Sequence, residues 1–159
     1  MPNSLQLTQV PTVTAGMLIR RPPAEVFRAF ADPAVTTRFW FTDSTGPLTP
    51  GADVRWTWAM FGVGTRVLVT EFEQDSRLVF DWGDDDRTTV EMRFVPGPDD
   101  STYVRMTETG ITGSGDEVVG YVADSTGGFT MVLCALKALL EHDVVLTVVT
   151  DRDPGDLLG

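Results

Sequence analysis

Apolar and polar residues alternate along most of the chain, which is the pattern of β-strands that bury one face. A weak first run covers residues 13–19, and five stronger runs follow between turns rich in glycine and aspartate. The predicted inward positions of the five runs are Val54, Trp56, Trp58 and Met60; Val67, Val69, Glu71 and Glu73; Leu78, Phe80 and Trp82; Val90, Met92 and Phe94; and Val104, Met106 and Glu108. Short turns between successive strands predict an antiparallel sheet with one covered face.

Two short helices are predicted between the first and second runs, in the stretch RRPPAEVFRAFADPAVTTRFWF. Pro22 and Pro23 suit a helix start, where a missing N–H does no harm. Asp32 ends this helix and can cap a second one that begins at Pro33. The aromatic triplet 39–41 follows at once. We therefore expect the two helices to close one end of the sheet, with the triplet at the mouth of a cavity.

The strongest helical pattern lies near the C-terminus. Apolar residues recur there at i, i+3, i+4 and i+7 spacing. They are Phe129, Val132, Leu133, Leu136, Leu139 and Leu140. Ser125 or Thr126 is the predicted cap, the preceding GITGSGDE is predicted to be a loop, and the clear stripe ends near Glu141 and His142. Residues 144–150 either continue this helix or leave it.

Length and composition favour one intracellular domain. The chain has 159 residues, which we divide into a core of about residues 12–150 and a flexible tail, 151–159. The N-terminal MPNSLQLTQV lacks the basic and apolar segments of a secretory signal, and no apolar run approaches the ~20 residues of a membrane span. A single cysteine excludes an internal disulfide. We therefore expect a cytoplasmic protein.

Charge and motifs exclude several partners. A net charge of −11 is the wrong sign for nucleic acids and anionic membranes. The acidic clusters, such as residues 84–86, have the character of solvated turns, and the chain has a single histidine, so no metal site is predicted. Cys134 and His142 point in different helical directions, which speaks against a nucleophile–base pair. There is no phosphate-binding loop or dinucleotide motif, and no cofactor is predicted.

Large aromatic and flexible methionine side chains are unusually dense on the covered face. A curved sheet that holds such side chains often leaves an apolar hollow, which suits a small apolar ligand. The predicted ligand-binding residues are Trp40, Trp56, Trp58, Met60, Val69, Phe80, Trp82, Met92, Phe94, Met106, Phe129, Leu133 and Leu136.

Two carboxylates are predicted on the same inner face. Strand alternation places Glu71 and Glu108 there, and a carboxylate in an apolar hollow could serve as an acid or base. They are the only catalytic candidates. The alternative is that both lie at the rim of the sheet or pair with Arg38 or Arg66.

The motifs resemble those of a known family. RPPAEVFRAFADP, Trp40, VTEFEQDSRLVFDW and GGFTMVLCALKALLEH are similar to motifs of the START-like (SRPBCC, Bet v 1-like) superfamily, in the branch named after the activator of Hsp90 ATPase. The resemblance covers roughly residues 12–150. It implies an α+β helix-grip fold, in which a curved antiparallel sheet wraps a long C-terminal helix and two short helices follow the first strand. One departure is Phe129, where many relatives have a tryptophan.

Three functions follow from the pattern and the resemblance. The first is non-enzymatic binding of a small hydrophobic or aromatic molecule between the sheet and the C-terminal helix, by a monomer or weak homodimer. The second is an enzyme of the polyketide cyclase or hydrolase kind that uses a cavity carboxylate. The third is a stress protein associated with an Hsp90-type chaperone.

Overall fold

An antiparallel sheet of seven strands curves around one long helix in the computed structural model, which describes residues 5–159. The strands are β1 (Val13–Ile19), β2 (Asp43–Ser44), β3 (Asp53–Trp58), β4 (Val63–Glu73), β5 (Arg77–Trp82), β6 (Thr88–Gly97) and β7 (Ser101–Thr109). The helices are α1 (Pro23–Ala31), α2 (Pro33–Thr36), α3 (Gly115–His142) and α4 (Val148–Asp151), with 3₁₀ turns at Ala59–Phe61 and Gly155–Leu158. The predicted α+β helix-grip fold is confirmed.

The strand order places the first and last strands of the chain, β1 and β7, side by side. The order is β1-β7-β6-β5-β4-β3-β2, so β7 lies between β1 and β6. Glu108 on β7 is therefore flanked by Val13 on β1 and Val90 on β6. This register surrounds a carboxylate with strand residues on both sides. The strand β2 was missed, because two residues are too few to show alternation.

The two helices after β1 form as predicted. Asp32 caps α2, because its side chain accepts a hydrogen bond from the backbone N–H of Ala34 at 3.0 Å. Thr36 is buried and donates to the backbone oxygen of Ala29 at 2.5 Å, which fixes the angle between α1 and α2. This corner directs the aromatic triplet 39–41 into the core, where all three side chains are buried.

Helix α3 begins eleven residues earlier than a cap at Ser125 would place it. Ser114 is its N-cap and accepts from the backbone N–H of Glu117 at 3.2 Å, while Glu117 accepts from the N–H of Ser114 at 3.4 Å. The predicted loop is thus partly the first helical turn, and Ser125 and Thr126 lie inside the helix rather than at its start. Glycines within α3 interrupt the apolar stripe, so the sequence pattern did not predict the first half of the helix.

The C-terminal end of α3 is sharp. Asp143 adopts the left-handed conformation with φ of 52° and its N–H bonds back to α3, so the helix stops at His142. Residues 144–147 are not helical, and α4 is a separate short helix. By length and composition α3 could cross a membrane, but its stripe, including Leu133 and Leu136, is buried against the sheet.

A β-bulge in β4 reverses part of the predicted strand pattern. Val69 pairs with Phe80 and Glu71 with Val79, so Thr70 is an extra residue in the ladder. The side chains beyond a bulge change faces. Glu71 consequently points outward, and the prediction that it shares the inner face with Val69 is wrong.

Candidate functional site

A cavity of about 610 Å³ lies beside the first half of α3. Such a volume is typical of small-molecule sites, which span roughly 300–1,000 Å³. Its lining residues come from the segment after α2, the β3–β4 hairpin, β5, α3 and the C-terminal segment. They are Trp40, Trp58, Phe61, Val63, Trp82, Tyr121, Asp124, Ser125, Gly128, Phe129, Met131, Val132, Val149, Arg152, Asp153 and Pro154.

Three aromatic rings form the apolar wall of this cavity. The ring centroids of Trp82 and Phe129 are 5.8 Å apart, and Trp40 lies 6.0 Å from Trp82 and 6.3 Å from Phe129. Trp56 supports Trp40 from the core side at 5.0 Å. Rings in mutual contact hold one another in place, so the wall is a rigid surface.

The predicted ligand-binding residues separate into three groups. Four of them line the cavity: Trp40, Trp58, Trp82 and Phe129. Eight are buried in the packed core away from it: Trp56, Val69, Phe80, Met92, Phe94, Met106, Leu133 and Leu136. Met60 is 43% exposed in the turn after β3. The large side chains fill the space against the second half of α3, and the hollow lies toward its first half.

A polar cluster centred on Glu108 borders the aromatic wall. Glu108 is completely buried. Its Oε2 accepts hydrogen bonds from the hydroxyls of Tyr121 and Thr88, each at 2.5 Å, and from Nε1 of Trp82 at 3.0 Å. Its Oε1 accepts from the hydroxyl of Ser125 at 2.6 Å. Four donors from β5, β6 and α3 thus converge on one carboxylate.

Neutral donors stabilise this buried charge. Among the described residues Glu108 has no ion pair, so the cost of removing its carboxylate from water is offset by hydrogen bonds. Hydrogen bonds to an ionised acceptor are about twice as strong as neutral ones. Burial, together with the hydrogen bond to Glu108, raises the pKa of the Tyr121 phenol, which keeps this group protonated and able to donate.

Sequence reasoning missed Tyr121, Ser125 and Thr88. The first two fell within or beside a segment that had no assigned helix. The signal that could have placed them is the capping box of Ser114 and Glu117, since a helix starting there puts Tyr121 and Ser125, four residues apart, on one face.

Glu71 lies outside the polar cluster around Glu108. Its side chain is 54% exposed and pairs with Arg77 at 3.0 Å. Neither predicted arginine partner contacts it, because Arg38 pairs with Asp143 and Arg66 with Asp53. Of the two predicted carboxylates, only Glu108 is on the inner face.

The C-terminal segment folds back over α3 and completes the cavity. Nη2 of Arg152 donates to the backbone oxygen of Asp124 at 2.7 Å and to its carboxylate at 2.9 Å. The guanidinium rests on Gly127 and Gly128, where a Cβ on Gly128 would come within 2.7 Å of Nη1. Because Gly127 and Gly128 have no side chains, the guanidinium of Arg152 can lie directly against the helix.

The chain belongs to the family of activator of Hsp90 ATPase homolog 1-like proteins, whose model matches residues 20–141. Motifs at the start of α1 and along α3 fall within that range. No match was found among curated protein sequences.

Solved structures share the fold at low sequence identity. Protein SSP2350 from Staphylococcus saprophyticus has a TM-score of 0.75 and 23% identity, covering 86% of this chain and 96% of its own. DynU16, described as a putative protein in the dynemicin biosynthetic locus, has a TM-score of 0.74 and 23% identity, covering 84% of this chain and 48% of its own. The Aha1 dimer from Colwellia psychrerythraea has a TM-score of 0.71 and 17% identity, covering 83% of this chain and 97% of its own.

Proposed function

We propose that this protein binds a small aromatic or apolar molecule, without transforming it, in the cavity between the sheet, α3 and the C-terminal segment. The observation that carries the proposal is the wall of Trp40, Trp82 and Phe129 beside the hydroxyls of Tyr121 and Ser125. An apolar surface with a few convergent polar groups is the usual form of a small-molecule site.

The side chains of the site are already held in place before a ligand binds. Trp40 and Phe129 are buried, and Tyr121 and Ser125 are held by hydrogen bonds to Glu108. Groups that are already ordered lose little conformational entropy when a ligand arrives, which favours affinity.

A second candidate is an enzyme of the cyclase type, favoured by one observation. The cavity-lining phenol of Tyr121 is linked by one hydrogen bond to the buried carboxylate of Glu108. Such a pair could hold or pass a proton next to a bound substrate. The similarity to DynU16, from a biosynthetic locus, supports small-molecule chemistry, whereas the chaperone hypothesis draws on the name of the family and on the Aha1 similarity.

Titration of the intrinsic tryptophan fluorescence with a panel of flat aromatic compounds tests the proposal. Because Trp40, Trp58 and Trp82 line the cavity, binding should change their emission, with dissociation constants in the micromolar range or tighter. If no member of a broad panel binds, the proposed function fails.

Recovery of the bound compound separates the two candidates. A binder returns it chemically unchanged after prolonged incubation, as mass spectrometry and chromatography would show. A new product that forms with the native protein and not with Tyr121→Phe would establish the enzyme instead.

A further inference from the structure

The direction of each hydrogen bond in the Glu108 cluster can be assigned. In this geometry the hydroxyls of Tyr121 and Ser125 both donate to Glu108, and a hydroxyl has one proton. Tyr121 and Ser125 therefore each commit their proton to Glu108. The hydroxyl oxygens of Tyr121 and Ser125 then offer only lone pairs, so any ligand group that reaches them must donate a hydrogen bond.

The other polar side chains that line the described cavity add to the same preference. Asp124 and Asp153 can only accept when ionised. Arg152 is the one cationic side chain in the lining, and its Nη2 already donates twice to Asp124. Tyr121, Ser125, Asp124 and Asp153 thus present acceptors, while the donors in the lining are Arg152 and the indole N–H groups of Trp40 and Trp58.

The apolar wall reinforces this selection. The faces of tryptophan, tyrosine and phenylalanine rings carry partial negative charge and attract cations, tryptophan most strongly. Trp40 and Trp82 both present such rings to the cavity. The only indole donor of Trp82 is turned away, because it is shared between Thr88 at 2.9 Å and Glu108 at 3.0 Å.

We infer that the cavity selects aromatic molecules that carry a hydrogen-bond donor, an ammonium or a phenolic hydroxyl, and rejects aromatic carboxylates. This inference rests on the proposed function, since it names the class of ligand for the same site. Lone pairs of Tyr121 and Ser125 receive the donor, the rings stack on the aromatic body, and Asp153 repels an anion, whereas Asp124 is paired with Arg152.

A matched set of naphthalenes tests the selection by isothermal titration calorimetry at neutral pH. The set comprises 2-naphthylmethylamine, 2-naphthol, 2-methylnaphthalene and 2-naphthoate, which share the ring and differ in one polar group. We expect the amine and the naphthol to bind about tenfold more tightly than methylnaphthalene, because each adds a hydrogen bond, and the naphthoate to bind most weakly.

Variants identify the groups responsible. Tyr121→Phe and Ser125→Ala should each weaken binding of the donor-bearing compounds by a larger factor than binding of 2-methylnaphthalene. Tyr103→Phe is the matched control, since Tyr103 lies on β7 and outside the cavity lining. If Tyr121→Phe does not fold, Ser125→Ala alone decides, because its smaller truncation removes one acceptor.

The outcomes are distinguishable. Equal affinities for all four compounds would leave the cavity a binding site and overturn the selection. Tightest binding of 2-naphthoate would also overturn it, and would assign ligand recognition to Arg152. Failure of all four compounds to bind, together with the broader panel, would remove the proposed function and this inference with it.

Discussion

The phenol of Tyr121 donates a hydrogen bond to the carboxylate of Glu108 at 2.5 Å, joining a cavity-lining residue of α3 to a completely buried residue of β7. This contact ties the first half of the long helix to the sheet. It also sets the orientation of the phenol that a ligand would meet. Stability and the proposed ligand recognition therefore depend on the same carboxylate.

Replacing Glu108 should be costly for stability. Glu108→Gln keeps the shape but places an amide NH₂ against hydroxyl donors and removes the charge that strengthens their hydrogen bonds. We expect the free energy of unfolding, measured by urea denaturation at pH 7, to fall by about 2–3 kcal/mol.

Glu71→Gln is the matched control, because the alternation of β4 predicted the same inner position for it. Glu71 is exposed, and Arg77 retains Glu91 at 2.8 Å, so the loss should stay below about 1 kcal/mol. Equal losses in the two variants would show that the buried cluster contributes no more than a surface ion pair.

The raised pKa of Tyr121 predicts a loss of stability in alkali. Because burial raises the pKa of this phenol in the folded protein, the folded state holds the proton more tightly than the unfolded chain. This stabilisation is complete below the ordinary tyrosine pKa of about 10 and is lost as the pH rises toward the folded value. Tyr121 is 40% exposed, so the loss should stay below about 1 kcal/mol per pH unit.

The measurement is the difference in unfolding free energy between the native protein and Tyr121→Phe from pH 8 to pH 11. The native protein should lose more stability than the variant across this range. Parallel curves would mean that the phenol titrates alike in the folded and unfolded chains.

Trp40 should matter for ligand affinity as well as for packing. It contacts Trp56 on β3 and Phe129 on α3 and also lines the cavity. Trp40→Phe removes part of the wall and should weaken ligand binding by about three- to tenfold, the equivalent of one aromatic contact. Phe27→Leu, a truncation outside the lining at a ring that contacts Phe72 and Phe94, should lower stability while leaving affinity per folded molecule unchanged.

Thermal unfolding and ligand titration on the same samples separate the two effects. Destabilisation of Trp40→Phe with unaltered affinity would make Trp40 a core residue only. The corner formed by α1 and α2 would then have a structural role alone.

Much of the fold follows from local patterns. The corner after β1 could be predicted because Pro23, Asp32 and Pro33 act on their immediate neighbours. The inner faces of β5, β6 and β7 followed from simple alternation, since these strands contain no bulge.

The candidate site was harder to predict because it depends on tertiary context. The bulge at Thr70 moves Glu71 outward through a change in pairing that no single strand reveals. Tyr121 and Ser125 reach Glu108 only once α3 starts at Gly115 and crosses the sheet. A list of inward residues also cannot show which side chains fill the core and which ones border the remaining hollow.

The contact of Arg152 with α3 should control access to the cavity. Removing the guanidinium by Arg152→Ala loosens the C-terminal segment from Asp124 and should increase the dissociation rate of bound 2-naphthol in stopped-flow fluorescence. The Asp124 side chain is 80% exposed, so stability should change by less than about 1 kcal/mol. Arg28→Ala, which breaks an exposed pair with Asp32 on α1, is the control, and equal rates in the two variants would contradict a gating role.

A crystal structure of the protein grown with 2-naphthylmethylamine tests whether the cavity is the binding site. We predict density for the naphthalene ring against Trp40, Trp82 and Phe129, with the amine nitrogen within hydrogen-bonding distance of the oxygen of Tyr121 or Ser125. Density for the compound only outside this cavity, or a cavity filled by its own rearranged side chains, would contradict the proposed function.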